Sequence, residues 1–226
     1  MNTAIIAAAG SGKRFGTERP KQFAELLGRP ILVHTLSRFD ACPDISSIIL
    51  VLAEEEIDNF RQVIAENGLK KIERIVAGGE SRAESVSKGL AAVDSATEIV
   101  AVHDGARPLV TTSEISATIL RAQEAGAACL AAPVTDTIKE VSGDYITRTL
   151  DRDRLLRALT PQAFRAELLR KAFNACEFGE EITDDCSILE KIGYPVAFVI
   201  GNSRNIKITN PEDILFAEAV LKSSEF

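Results

Sequence analysis

Apolar residues in this chain fall into short dense runs, separated by longer stretches where they recur every three or four positions. The dense runs cover 4–8, 48–52, 73–77, 99–102 and 127–132, all rich in Ile, Val, Leu or Ala. Near-continuous apolar runs of this length suit strands covered on both faces of a parallel sheet. The stretches between them carry helix signals. Pro30 at a first-turn position precedes the helical spacing Leu32, Thr35, Leu36, Phe39. Ser81-x-x-Glu84 and Thr111-x-x-Glu114 spell capping boxes, and Asn210-Pro211-Glu212-Asp213 reads as an N-cap, a first-turn proline and acids at the positive helix end. Strand and helix alternate, which predicts an α/β fold: a Rossmann-like, mostly parallel sheet with helices on both faces.

One segment breaks the alternation. Residues 137–141 and 145–150 flank Ser142-Gly143-Asp144 and read as a β-hairpin arm. An isolated two-stranded hairpin is marginal in water, so it needs something to pack against. A second copy of the chain and the chain's own domain are equally good partners on this pattern.

In a parallel sheet the ligand crevice lies beyond the carboxyl ends of the strands. Three polar motifs fall there: the glycine loop after the first strand, Gly78-Gly79-Glu80-Ser81 after the strand ending at Ala77, and His103-Asp104 after the strand ending at Val102. The first runs Ala9-Gly10-Ser11-Gly12-Lys13-Arg14-Phe15-Gly16, followed by Pro20-Lys21-Gln22. Glycines let backbone N–H groups approach an anion. Lys13, Arg14, Arg19 and Lys21 crowd this stretch, with Glu18 its one acid, so it reads as a cradle for nucleotide phosphates. It is not a P-loop, because Lys13 precedes Arg14 rather than Ser or Thr. Nor is it a dinucleotide fingerprint, because Phe15 holds the place of the third glycine and the next β-like run ends too far on.

Composition narrows the partners. The chain has 226 residues, 46% hydrophobic, enough for one α/β domain with a core. A net charge of -7 argues against a nucleic-acid surface, and the basic cluster is local, as suits a small polyanion. No apolar run approaches a membrane span. The first strand begins almost at Met1, so no signal peptide is expected and the expected location is cytoplasmic. Cys42, Cys129, Cys176 and Cys186 show no C-x-x-C pairing, and free buried thiols are the expectation.

The pattern A-A-G-x-G-x-R…P-K-Q resembles the signature of the sugar-phosphate nucleotidyltransferases. Within them the chain is most similar to the 2-C-methyl-D-erythritol 4-phosphate cytidylyltransferase family. The stretches Gly78–Val86, His103–Pro108, Asp136–Lys139, Asp151-Arg152, Ala158–Gln162, Ile182–Asp185 and Asn205–Thr209 carry the likeness along the whole chain in the family's order. The resemblance implies a single nucleotidyltransferase domain over 1–226. It also implies an interlocking homodimer, in which the 137–150 arm helps complete the neighbour's site. The implied reaction moves a cytidylyl group from CTP to a sugar-alcohol phosphate and releases pyrophosphate, with Mg²⁺ bound mainly through the CTP phosphates.

By position in these motifs, Arg14 and Lys21 correspond to transition-state stabilisers, while Arg152 and Lys207 position the incoming phosphate. Ala8, Ala9, Gly10, Gly12, Gly79, Glu80 and Ser85 correspond to nucleotide contacts, and Asp104, Arg107, Thr137 and Thr160 to substrate contacts. Lys207 sits in the alternating run Ile206-Lys207-Ile208, which reads as a strand with one polar face. His103 reads as a packed structural imidazole. Gly105 stands where the family has Ala, Glu80 where it has Asp, and Phe15 where Met is usual. No side chain is expected as a dedicated metal ligand. Three other readings remain open: a ribitol 5-phosphate acceptor, another nucleotide, and a non-catalytic nucleotide-binding module.

Overall fold

The computed structural model describes residues 1–10, 21–175 and 182–223, with Lys21 described by its backbone alone. In chain order the elements are β1 (Asn2–Ala8), the short pair β2 (Glu25–Leu26) and β3 (Arg29–Pro30), α1 (Ile31–Ala41), β4 (Ser47–Leu52), α2 (Ile57–Glu66), β5 (Ile72–Ala77) and α3 (Arg82–Ala91). They continue with β6 (Ile99–Asp104), α4 (Thr112–Ala125), β7 (Ala127–Pro133), β8 (Lys139–Ser142), β9 (Tyr145–Thr149), β10 (Leu156–Arg165), α5 (Ala166–Ala175), α6 (Asp185–Lys191), β11 (Ala197–Ile200) and α7 (Glu212–Lys222).

Seven strands form one sheet in the order β11-β7-β10-β6-β1-β4-β5. β10 runs antiparallel to β6 and β7, and the remaining neighbours are parallel. Alternate residues of β1 explain the three layers. Ala4, Ile6 and Ala8 enter the apolar cluster shared with α1 and α4, whereas Ile5 enters the one shared with α3, α5 and α6. Both faces of the central strands are therefore dry, which is why they read as unbroken apolar runs. A third cluster packs α7 onto β2, α1 and the turn after β6 through Leu26, Ile31, Leu109, Ile208, Ala217 and Val220. Among the described residues no helix is long and apolar enough to cross a membrane.

The expected capping box holds at α4, between Thr111 and Glu114. At α1 Pro30 lies at the N-cap, one residue before the helix, rather than in its first turn. At α3 Ser81 accepts from the Glu84 amide, but the Glu84 carboxylate takes the Glu80 amide, so the box is not the reciprocal one expected. Three further local expectations are corrected. β6 runs on through His103 and Asp104, because Asp104 still pairs in register with Ala7 of β1 and both residues are buried. Residues 206–208 are not a strand. Their backbone turns toward the loop after β6, where the Ile208 amide donates to the Ala106 carbonyl (2.8 Å), and burial of Ile208 holds it there. Asn210 does not cap α7. Pro211 holds that position, and the Asp213 carboxylate reaches back to accept from the amides of Thr209 (2.7 Å) and Asn210 (2.8 Å).

The arm forms as expected, with β8 and β9 closed by Gly143 at φ 54, a left-handed backbone that glycine adopts without a steric cost. Every residue of both its strands is exposed, so it does not lie on its own domain.

Candidate active site

The site is built at the carboxyl ends of β1, β5 and β6. Asp104, the last residue of β6, is its hub. Its Oδ1 accepts from Arg82 Nε (3.0 Å), while Oδ2 accepts from Arg107 Nε (3.2 Å) and Lys207 Nζ (3.0 Å). The carboxylate is 8% exposed, so these contacts act with little screening by water. Burial alone would push the Asp104 carboxyl up. The positive charges of Arg82, Lys207 and Arg107 outweigh it and hold that carboxyl far below the usual carboxylate range.

Each cation arrives by its own route. Arg107 sits in the tight turn after β6, where its amide donates to the Asp104 carbonyl (3.1 Å). Lys207 arrives because Asn205 anchors its segment: Asn205 Nδ2 donates to the Thr160 carbonyl (2.9 Å), and Arg107 Nη1 donates to the Asn205 carbonyl (3.0 Å). Arg82 opens α3 behind the N-cap Ser81. Its Nη1 and Nη2 grip both oxygens of the fully buried Asp185 (3.0 and 2.8 Å). Burial of Arg82 would lower its pKa, but Asp185 and Asp104 outweigh that and fix the guanidinium as a cation.

Behind the carboxylate a neutral chain fixes the turn. The Asp104 amide donates to Thr160 Oγ1 (3.2 Å), Thr160 Oγ1 lies 2.9 Å from His103 Nδ1, and His103 Nε2 lies 3.1 Å from the Arg107 carbonyl. A carbonyl only accepts, so Nε2 carries the imidazole proton and Nδ1 accepts from the Thr160 hydroxyl. Burial lowers the His103 pKa to about 3, so the ring is neutral at pH 7 and both its nitrogens are occupied. The Thr160 hydroxyl is likewise engaged within the protein, and its residue is buried.

Among the described residues, side chains that bond backbone groups shape the rest of the mouth. Gln22 Nε2 donates to the carbonyls of Ala8 (2.7 Å) and Gly10 (3.1 Å), tying the two ends of the glycine loop together next to Lys21. Ser85 Oγ accepts from the Gly79 amide (3.0 Å) and donates to the Ser81 carbonyl (2.9 Å), so this hydroxyl shapes the second loop. The Glu80 amide donates to Glu84 Oε2 (2.9 Å), and the Glu80 side chain is exposed. A Cβ on Gly78 would collide with the Cβ of Ala9, which shows how closely the ends of β1 and β5 approach.

The structure therefore gathers Asp104, Arg107, Lys207 and Thr160, and brings Gly79, Glu80 and Ser85 to the same mouth through Arg82, which opens the helix they precede or begin. Ala8 and Ala9 lie at the end of β1, with exposed Gly10 beyond them. Gly12 and Arg14 lie outside the described residues, as does the side chain of Lys21. Thr137 and Arg152 are exposed at the two roots of the arm, where Arg152 Nη1 donates to the Thr135 carbonyl (2.9 Å). Two residues that matter here are absent from the sequence-based set, Arg82 and Asp185. Their signal was a basic residue in the first turn of a helix, where the dipole disfavours it unless an acid lies near.

The arrangement presents positive charge at a strand mouth, where both oxygens of Asp104 are taken by cations.

The family described as IspD, 2-C-methyl-D-erythritol 4-phosphate cytidylyltransferase, matches residues 2–223. A 2-C-methyl-D-erythritol 4-phosphate cytidylyltransferase of Desulforamulus reducens is 46% identical over 97% of this chain and 95% of its own length. One from Halalkalibacterium halodurans is 44% identical over 98% and 97%. The crystal structure of a 4-diphosphocytidyl-2C-methyl-D-erythritol synthase from Anaerococcus prevotii superposes with a TM-score of 0.86, at 34% identity and 99% coverage of both chains. The cytidylyltransferase of Thermus thermophilus superposes at 0.76, with 30% identity over 98% of each chain. With near-complete coverage in sequence and in structure, the chain belongs to the 2-C-methyl-D-erythritol 4-phosphate cytidylyltransferase family.

Proposed function

We propose that this mouth carries out the family's reaction, transfer of a cytidylyl group from CTP to 2-C-methyl-D-erythritol 4-phosphate with release of pyrophosphate, in isoprenoid precursor synthesis. The observation that carries the reading is the meeting of Arg82, Arg107 and Lys207, from three distant segments, on one strand-end carboxylate. A phosphate oxygen of the acceptor attacks the α-phosphorus in line, and the bond from that phosphorus to the pyrophosphate breaks. A phosphate monoester has a second pKa near about 6, so it attacks already ionised and needs no base. The occupied nitrogens of His103 accord with that. The protein's task is to hold two anions together and to offset charge growing on the α-phosphate and leaving group.

In this reading Arg14 and Lys21 stabilise the transition state, with Gln22 closing the loop that carries them. Lys207, released from Asp104 as substrate enters, and Arg152 position the acceptor phosphate. Ala8, Ala9, Gly10, Gly12, Gly79, Glu80 and Ser85 surround the nucleotide. Asp104, Arg107, Thr137 and Thr160 set the acceptor side. Mg²⁺ enters as part of the substrate, carried on the CTP phosphates. The exposed arm, with Thr137 and Arg152 at its roots, supports a homodimer in which each arm reaches the neighbour's mouth. The buried free thiols Cys42, Cys129 and Cys186 accord with a cytoplasmic location.

The deciding experiment is a pyrophosphate-release screen of the purified chain with Mg²⁺. CTP, UTP and GTP are each paired with methylerythritol phosphate and with ribitol 5-phosphate. Release is expected with CTP and methylerythritol phosphate. Faster release with ribitol 5-phosphate reassigns the acceptor, and CTP binding without release from any pair leaves a binding module.

A further inference from the structure

The proposed chemistry uses Asp104, Arg107 and Lys207 but not the pair that completes the cluster, Arg82 and Asp185. Arg82 touches both acids of the cluster. One edge of its guanidinium meets Asp104 Oδ1, and its two terminal nitrogens fork onto Asp185. A planar guanidinium held by a bidentate carboxylate has a fixed direction, which a lysine ammonium would lack.

Asp185 is itself immobilised. Its amide and that of Cys186 donate to Gln162 Oε1 (3.0 and 3.1 Å), while Gln162 Nε2 donates to the N-cap Asp184 (2.7 Å). Gln162 lies on β10, two residues beyond Thr160, whose hydroxyl takes the Asp104 amide. The Asp104 backbone is thus fixed from β10, and its side chain is fixed from α6 through Arg82. Charge supports the same reading. Asp104 faces three cations, and a carboxylate pulled on Oδ2 by Arg107 and Lys207 would rotate toward them unless Oδ1 were also held.

We propose that Arg82, aimed by Asp185, is a positioning residue for cytidylyl transfer: it fixes the rotation of Asp104, and Asp104 in turn sets where Lys207 and Arg107 wait for the acceptor phosphate. This rests on the function proposed above. It adds a division of labour, in which the α3 and α6 N-termini contribute a clamp that touches neither reacting phosphorus nor leaving group. Loss of the clamp therefore lowers turnover and acceptor affinity more than CTP affinity.

The test uses the full-length chain with Arg82→Ala, Arg82→Lys and Asp185→Asn, each checked for fold by circular dichroism and thermal melting. Rates of pyrophosphate release are measured with each substrate varied in turn. Arg82→Ala and Asp185→Asn are expected to lower kcat by about 30-fold or more while the KM for CTP stays within about threefold. Millimolar guanidinium is expected to restore part of the Arg82→Ala rate, and urea at the same concentration is not. A kcat within about threefold of wild type in either folded variant overturns the inference, as does equal response to guanidinium and urea. Should Arg82→Ala fail to fold, Arg82→Lys keeps the charge without the fork, and a wild-type kcat there overturns it equally.

Wild-type turnover is the control on the parent reading. A second readout stands apart from it: carboxyl-carbon NMR of Asp104 during acid titration. In Arg82→Ala the Asp104 carboxyl is expected to titrate at a higher pH than in wild type, and an unchanged titration overturns the clamp even in an inactive enzyme.

Discussion

The Asp104 cluster and the hairpin arm lie at opposite extremes of this fold. At Asp104, charged groups are buried, paired and cross-braced by segments from four parts of the chain. On the arm, apolar groups are exposed: Val141 is 63% exposed, Tyr145 80% and Ile146 66%. Buried charge needs partners and exposed apolar surface needs cover. The first need is met within one chain, and the second is not. The Asp104 part of the proposed site is thus held together within one chain, while the part carrying Thr137 and Arg152 stands on an arm whose strands are exposed.

The largest effect is expected from breaking the Asp104 part. Asp104→Asn keeps the shape but leaves Arg82, Arg107 and Lys207 around a neutral amide. Removing one partner of a buried charge network costs about 3 kcal/mol or more, somewhat less here because Lys207 is about a third exposed. Urea unfolding is expected to show that loss, and pyrophosphate release to fall by about 100-fold or more. Unfolding at the wild-type midpoint with intact turnover would mean that the cluster is ornamental.

Breaking the arm is expected to act on assembly and turnover rather than on monomer stability. In the double variant Val141→Ser, Ile146→Ser, both side chains already face water, so urea unfolding at low protein concentration stays within about 0.5 kcal/mol of wild type. Sedimentation is expected to shift from dimer to monomer, and turnover to drop with it. A variant that stays dimeric, or a wild type that sediments as a monomer, removes the arm from the interface.

The two parts also differ in how far the sequence revealed them. The mouth was legible because strand-end glycines and a buried-run Asp are local signals, and the arm was legible from its turn. Arg82 was not, because next to Ser81-x-x-Glu84 it reads as a surface cation; its acids lie 22 and 103 residues away. Central strand β10 escaped detection because Pro161 interrupts it. Proline lacks the N–H a ladder needs, and the strand tolerates it at the irregularity between Ala158 and Gln162. The alternation at Ile206-Lys207-Ile208 misled in the other direction: one buried face suffices to alternate a sequence, whether or not a neighbouring strand accepts its backbone.

The smallest expected effect separates the two parts by pH. Asp104 is held below its unfolded pKa of about 3.9, so the native state binds this proton less readily than the unfolded chain does. Its contribution to stability is therefore full above about pH 4 and is lost as pH falls toward the folded value. His103, already neutral in the fold, adds a second slope of the same sign: its pKa is lowered to about 3 from the ordinary 6.5, so its cost to the native state appears as the unfolded imidazole takes up a proton below about pH 6.5. Stability measured by urea unfolding from pH 7 to 3 is thus expected to fall with one slope below about pH 6.5, from His103, and with a second slope added to it below about pH 4.5, from Asp104. Asp104→Asn should remove the added slope, roughly 1–2 kcal/mol between pH 4.5 and 3, and leave the first. The arm variant should keep both, since its substitutions add and remove no charge. If Asp104→Asn instead keeps the wild-type slope below pH 4.5, the acid sensitivity belongs to other carboxylates, and the cluster around Asp104 is less tightly charged than its distances imply.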